Sequence, residues 1–268
     1  MSINLIVSQG RVGDKTQQTI KGALLTAKAL EKKYGVKARS IGKFYTPEND
    51  DWSVSLPQAR ETLNELKQAV ESSIQKQGLT LLASNTCSAS LASLPVVAKH
   101  HPDALLLWID AHGDFNTPET SSTGYLGGMV LSAVCGVWDS GHGSGVRSEQ
   151  VVLVGAHDID YKERELLRQS GVRIIPPKEV NSEAVLEAVG NSKIWIHIDW
   201  DVMDPGCIPA DYQVSGGLLL EQIQEVFSAL PKNQILGIEL AEFHVPTDEK
   251  STTKAISNIL DIIAPILE

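Results

Sequence analysis

The chain has 268 residues, 42% of them hydrophobic and 21% charged, which is enough apolar material for a sizeable core and excludes disordered or collagen-like classes. Its 23 basic against 33 acidic side chains give a formal charge of −10. A surface that acidic repels a phosphate backbone and argues against a nucleic-acid partner. In chain order, residues 3–7 read as a first strand, followed by a helix carrying Ile20, Leu24, Ala27 and Leu30 on one face. A polar loop is expected over 43–56. A second helix is expected to open just after Pro57, carry Leu63, Leu66, Val70 and Ile74, and close at Gly78. Further strands are expected at 79–82, 105–109, 151–154, 194–198 and 235–238, with a helix over 162–169 and a glycine- and serine-rich loop over 139–150. Several of these runs are apolar throughout, as parallel strands covered on both faces should be. Strands alternating with helices predict an α/β fold: three αβα layers around a mainly parallel central sheet. No repeat or domain-dividing linker interrupts residues 1–268, which read as a single catalytic domain.

Cys87, Cys135 and Cys207 are an odd set without close spacing, which fits neither a disulfide framework nor a zinc ribbon. No basic region precedes the apolar start of the chain, and no apolar run is long enough to cross a bilayer. A cytoplasmic protein without membrane contact is expected.

In parallel α/β sheets, ligands sit beyond the carboxyl ends of the strands. Two acidic clusters lie there: Asp110, His112 and Asp114 after the run 105–109, and Asp199 and Asp201 after the run 194–198. In extended chain, residues two apart face the same side, which would gather each cluster. Four carboxylates crowded at one sheet end repel each other unless something neutralises them, and divalent cations do this most simply. A donor set of oxygens with one imidazole favours a hard or borderline ion such as manganese. Taken singly, either cluster could be ordinary loop carboxylates and helix caps.

The stretches Asp-Ala-His-Gly-Asp-Phe-Asn-Thr-Pro at 110–118 and His-Ile-Asp-Trp-Asp-Val-Met-Asp-Pro at 197–205, with Gly-Ile-Glu-Leu-Ala-Glu at 237–242, resemble the metal-binding motifs of the ureohydrolase family of arginases, agmatinases and formimidoylglutamases. The resemblance implies an arginase-like fold and two manganese ions that activate a hydrolytic water. It further implies that Asp110 and Asp199 serve both ions, that His112 and Asp201 complete one, and that Asp114 serves the other while also relaying a proton. Glu242 aligns with the family's guanidinium-binding carboxylate. Asn116 and Thr123 align with partners of the substrate carboxylate, and Asp160 with that of its ammonium; Asn116 could equally be a turn residue and Asp160 a helix cap.

The sequence departs from the family pattern twice. Ser84-Asn85-Thr86-Cys87-Ser88 aligns with a Gly-Gly-Asp-His-Ser stretch, so Cys87 stands where a metal-binding histidine is usual. It is either a thiolate ligand or a small buried residue behind a site with one ligand fewer. Gly127 occupies the place of the proton-shuttling histidine. Among the remaining histidines, His244, two residues after Glu242, is the one that stands out. The Asn-Thr-Cys-Ser run, the Thr-Gly-Tyr-Leu-Gly-Gly-Met loop and residues 51–63 are similar to the hydroxyarginine-cleaving branch of the family that serves D-cycloserine biosynthesis. That likeness implies a hydroxyguanidino amino acid as substrate, with L-ornithine and hydroxyurea as products. Two other readings stay open: an arginase or agmatinase with a variant metal site acting on a guanidino compound, and a ureohydrolase-like scaffold that has lost catalysis and binds a ligand or partner.

Overall fold

The computed structural model describes residues 2–268. Eight parallel strands form one sheet: β1 (Ile3–Ser8), β2 (Arg39–Ile41), β3 (Leu79–Ala83), β4 (Leu105–Ile109), β5 (Val151–Val154), β6 (Arg173–Ile175), β7 (Ile194–Asp199) and β8 (Ile235–Ala241). Their spatial order is β2-β1-β3-β8-β7-β4-β5-β6. The six expected strands are all present. The two unexpected ones, β2 and β6, are three-residue edge strands that each begin with a solvent-facing arginine, the kind of short charged edge that carries no apolar run to read.

Helices cover both faces. One apolar core joins α1 (Gln17–Tyr34), α6 (Ser182–Val189), α7 (Leu220–Ala229) and α8 (Glu249–Leu267) to one side of the sheet through residues such as Leu30, Val185, Phe227 and Ile262. A second core joins α2 (Trp52–Gln75), α3 (Ser90–His100), α4 (Val130–Val134) and α5 (Tyr161–Ser170) to the other side through Leu63, Leu94, Val130 and Leu167. Strands β3, β5 and β7 are buried along their whole length, which is why they read as unbroken apolar runs. Among the described residues, no helix is long and apolar enough to cross a membrane.

The start of α2 differs from expectation. The helix begins at Trp52, so Pro57 lies in its second turn and the polar loop ends earlier than expected. Asp51 caps the helix by accepting from Ser53 N, Trp52 N donates to the Gly124 carbonyl, and the Trp52 ring packs edge-on against Trp138 at 5.7 Å. This cap and the two tertiary contacts outweigh the one intrahelical hydrogen bond that Pro57 cannot donate. The helix ends at Gln75, and both Gln77 and Gly78 have positive φ, 62° and 101°.

One close approach in α1 bears on the site. A Cβ on Gly22 would lie 1.8 Å from the Phe243 carbonyl oxygen, beside Glu242. Helix propensity alone would make Gly22→Ala stabilising by about 1 kcal/mol. The contact reverses the sign: overpacking against backbone should cost about 2 kcal/mol. Urea denaturation of the variant checks this, and a gain in stability would show that α1 can slide off the Phe243 carbonyl freely.

Candidate metal centre and active site

Four adjacent central strands, β3, β8, β7 and β4, deliver their carboxyl ends to one place. Beyond β3, Asn85 Nδ2 bonds to the Gly10 carbonyl and to Asp14 Oδ1, and a one-turn 3-10 helix follows that carries Cys87. Asp110 follows β4, Asp199 ends β7, and Glu242 follows β8. A cavity of about 670 Å³ opens above them, lined by Cys87, His112, Asp114, Asp199, Asp201 and Glu242 among others.

Three overlapping groups of ligand-type atoms gather here, each within 4.8 Å: Cys87, Asp199 and Glu242; Asp110, His112 and Asp201; and Cys87, Asp110 and His197. Cys87 Sγ lies 3.1 Å from Asp199 Oδ2, so the cysteine sits inside the carboxylate cluster. His112 Nδ1 lies 2.9 Å from Asp201 Oδ2 and 3.5 Å from Asp110 Oδ1. Backbone donors and one indole hold the carboxylates: Ala111 N on Asp201, His112 N and Trp108 Nε1 on Asp110, and Asp201 N on Asp199. Asp114 does not join its neighbours by strand alternation, because β4 stops at Ile109. It lines the cavity from a left-handed backbone turn, φ 47°, with Oδ2 buried and without a hydrogen-bond partner.

Burial dominates the electrostatics. It pushes Asp114 and Asp199 well above the usual carboxylate range, with further push from Asp110 on the first and from Asp201 and Asp110 on the second. Asp201 is raised to about 7 by burial and by Asp110, against the opposing pull of His112. Burial works against charge on His112, yet its bonds to Asp110 and Asp201 leave its pKa raised. The Cys87 thiol is also pushed up, by burial and then by Asp199.

Glu242 has φ 63° and a pKa raised by burial. Its Oε1 accepts from Cys87 N at 3.2 Å and from the Tyr125 hydroxyl at 2.9 Å. One of its two oxygens therefore already accepts two hydrogen bonds from the protein. At the other end of the cavity, Asn116 and Asp160 both line the wall and bond each other, Asn116 Nδ2 to Asp160 Oδ2 at 3.0 Å. Asp160 also caps α5 by accepting from Lys162 N and Glu163 N. Thr123 is exposed at the rim, where its Oγ1 accepts from Tyr125 N.

Three residues at the site were not singled out from sequence. His197, within the second motif, lies beneath Cys87 with Nε2 3.3 Å from Sγ; its ring stacks on Trp108 at 3.6 Å and its Nδ1 meets Glu239 Oε2 at 2.9 Å. Strand alternation from Asp199 and Asp201 was the signal for it. Glu163, one turn into α5, is buried against the cavity, accepts from Phe115 N and is raised by burial to about 7. Tyr125 reaches Glu242 from the loop before α4, and no periodic pattern marks it. His244, by contrast, belongs to none of these ligand-type groups; its Nδ1 lies 2.8 Å from Oδ1 of Asp211, a residue of the cavity wall.

The Arginase family matches residues 14–264 of the chain. Over 266 residues the chain is 57% identical to the N(omega)-hydroxy-L-arginine amidinohydrolase of Streptomyces lavendulae, spanning 99% of this chain and 97% of that one. Among solved structures, it is similar to arginase from Bacillus cereus, at 26% identity and TM-score 0.83 over 98% of this chain and 97% of that one. Arginase from Bacillus subtilis shares the fold, with TM-score 0.84 at 24% identity over 100% of this chain and 98% of that one. With both carboxylate clusters at the sheet's carboxyl edge and the match running over nearly its whole length, the chain belongs to the arginase family.

Proposed function

We propose that residues 1–268 act as one catalytic unit, a dinuclear-metal amidinohydrolase that cleaves a C–N bond of N-omega-hydroxy-L-arginine to give L-ornithine and hydroxyurea. The observation that carries this reading is Cys87 seated 3.1 Å from Asp199 inside the carboxylate cluster. It stands in a chain similar over almost all its length to a hydroxyarginine amidinohydrolase. The setting proposed for it is the cytoplasm, with hydroxyurea supplied to D-cycloserine assembly, as the motif resemblance implies.

The residues fit two divalent cations. Oxygen donors predominate, and the unpartnered buried Asp114 Oδ2 is an acceptor in want of a cation. Asp110 and Asp199 would be shared, His112 and Asp201 would complete one site, and Cys87 and Asp114 the other, with manganese the ion best matched. When bound, such ions lower the pKa of water and offset charge developing at the amidine carbon. Asp114 takes the proton of the attacking water. Glu242 orients the hydroxyguanidine, Asp160 receives the substrate ammonium, and Asn116 and Thr123 receive its carboxylate.

Raised carboxyl pKa values mean that the metal-free cluster holds protons near neutral pH, so metal loading must release them and metal affinity rises with pH. Metal analysis should find two divalent ions per chain, calorimetry in buffers of different ionisation enthalpy should show proton release, and Asp110→Ala or Asp199→Ala should abolish activity. Full activity without divalent metal would defeat the dinuclear reading.

The two ends of the cavity should separate kinetically. Asp160→Asn keeps an acceptor for the α5 cap but loses the charge, and should raise KM far more than it lowers kcat. Glu242→Ala should lower kcat instead. Reversed effects would show that the substrate lies the other way round.

Hydroxyarginine should exceed arginine and agmatine in kcat/KM by more than about tenfold. A thiolate in place of a neutral imidazole adds negative charge to the metal shell, which suits the less basic hydroxyguanidine. Equal use of arginine would overturn the assignment, and Cys87→His with unchanged preference at full metal occupancy would move the cause elsewhere in the pocket.

A further inference from the structure

Glu242 Oε1 receives two donors, Cys87 N and the Tyr125 hydroxyl, while among the described residues no protein donor reaches Oε2. Tyr125 comes to this position from the loop between Asp114 and α4. Its ring has Lys15 Nζ 5.2 Å from the centroid on one side and Tyr212 at 5.8 Å, and its backbone N donates to Thr123 Oγ1. The volume it fills is the volume a side chain at position 127 would need. A Cβ on Gly127 would lie 2.4 Å from Tyr125 Cε1, 2.7 Å from Cζ and 3.0 Å from the hydroxyl oxygen. Gly127 has no positive φ to account for a glycine; the close approach of the ring does.

We infer that Tyr125 is a positioning residue which Gly127 admits to the reacting end of the cavity, where it holds Glu242 so that a single oxygen, Oε2, faces the substrate. Tyr125 spends its one proton on Glu242, which leaves its own oxygen lone pairs as acceptors beside that carboxylate. A hydroxyguanidine replaces one N–H by N–O–H, which leaves its number of donors unchanged but carries one of them an atom farther out, so that an N–H can meet the free carboxylate oxygen while the O–H reaches the phenol oxygen. The inference rests on the proposed hydroxyarginine chemistry for the substrate class; the steric exclusion between positions 125 and 127 does not depend on it.

The test is a double-mutant cycle on the full chain, loaded with manganese and assayed on hydroxyarginine, arginine and agmatine, with metal content and Tm recorded for each variant. Tyr125→Phe keeps the ring and removes the hydroxyl. It should lower kcat by about tenfold or more, with KM, metal content and Tm near parental values. Gly127→Ala collides only with the far end of the Tyr125 side chain and with no backbone atom among its nearest contacts, so it should leave Tm unchanged while losing as much kcat as Tyr125→Ala. The variant with both Tyr125→Ala and Gly127→Ala should be no worse than Tyr125→Ala alone. Parental kcat in Tyr125→Phe, or losses that multiply in the double variant, would overturn the inference. A crystal structure of Gly127→Ala gives a readout apart from turnover: the ring should leave Glu242, and a ring still bonded to Oε1 would refute the steric exclusion. Should the parent prefer arginine or agmatine, the substrate assignment fails, while the cycle read on the preferred compound still decides the role of Tyr125.

Discussion

Negative charge drawn out of water at the carboxyl edge of the sheet is the constraint around which the rest of this structure is arranged. Asp110, Asp114, Asp199, Asp201 and Glu242 are all buried within the reach of four adjacent strands. Two like charges 4 Å apart repel by about 4 kcal/mol at the effective dielectric of a protein site, so five cannot all ionise without an answer. Part of the answer is local. Backbone N–H groups of Ala111, His112 and Asp201, the Trp108 indole and the His112 ring each meet a carboxylate oxygen. Those donors are fixed by the chain turning sharply after β4 and β7, which is also where Asp114 adopts its left-handed backbone. Strained φ values at Asp114 and Glu242, each costing about 1–3 kcal/mol, fall on two of the cavity-lining acids and on no other non-glycine residue of the carboxylate cluster.

Beneath this layer lies a second one that is fully dry. His197 and Glu239 are partners across β7 and β8, both with no exposure, and Ser90 and Ser93 of α3 donate to the two Glu239 oxygens. Burial opposes charge on Glu239, but its hydrogen bond to His197 prevails and holds its pKa below the usual range. The pair therefore contributes stability above the ordinary glutamate pKa and loses it as pH falls through the depressed value. Trp108 ties the layers together: its ring stacks on His197 while its Nε1 donates to Asp110. A buried pair of this kind is costly to break from one side, since the remaining charge is left without a partner. The site thus rests on a rigid polar floor and not on apolar packing alone.

Much of this was legible in the sequence, because the same physics that builds a parallel sheet writes unbroken apolar runs and places chemistry immediately after them. The runs at 105–109 and 194–198 gave both the strands and the addresses of Asp110 and Asp199. What escaped reading lacked such periodicity. Strands β2 and β6 are too short and charged to stand out. The α2 start was set by Asp51 and by contacts with distant Gly124 and Trp138, against the local signal of Pro57. Glu163 and Tyr125 reach the cavity from a helix and an irregular loop, and only tertiary folding brings them to Phe115 and Glu242. Asp160 was read with two alternatives, cap and pocket residue; its two oxygens occupy both situations, Oδ1 on the α5 N-terminus and Oδ2 toward Asn116 at the cavity wall.

The two departures from the family pattern, at positions 87 and 127, meet at one atom. Cys87 donates its backbone N–H to Glu242 Oε1 while its thiol faces Asp199. Gly127 acts at the same oxygen by leaving room for the Tyr125 ring whose hydroxyl is the second donor there. A histidine restored at 127 would therefore meet the Tyr125 ring before it met a substrate, and Glu242 Oε1 would keep one donor where it now has two. Losing a hydrogen bond to a buried carboxylate costs about 1.5–3 kcal/mol, enough to change how that group presents itself. Positions 87, 125, 127 and 242 thus form one mechanical unit. The cysteine sets its floor, the glycine its free volume and the tyrosine its orientation, so a change at any one of them alters the surface that the other three present to the cavity.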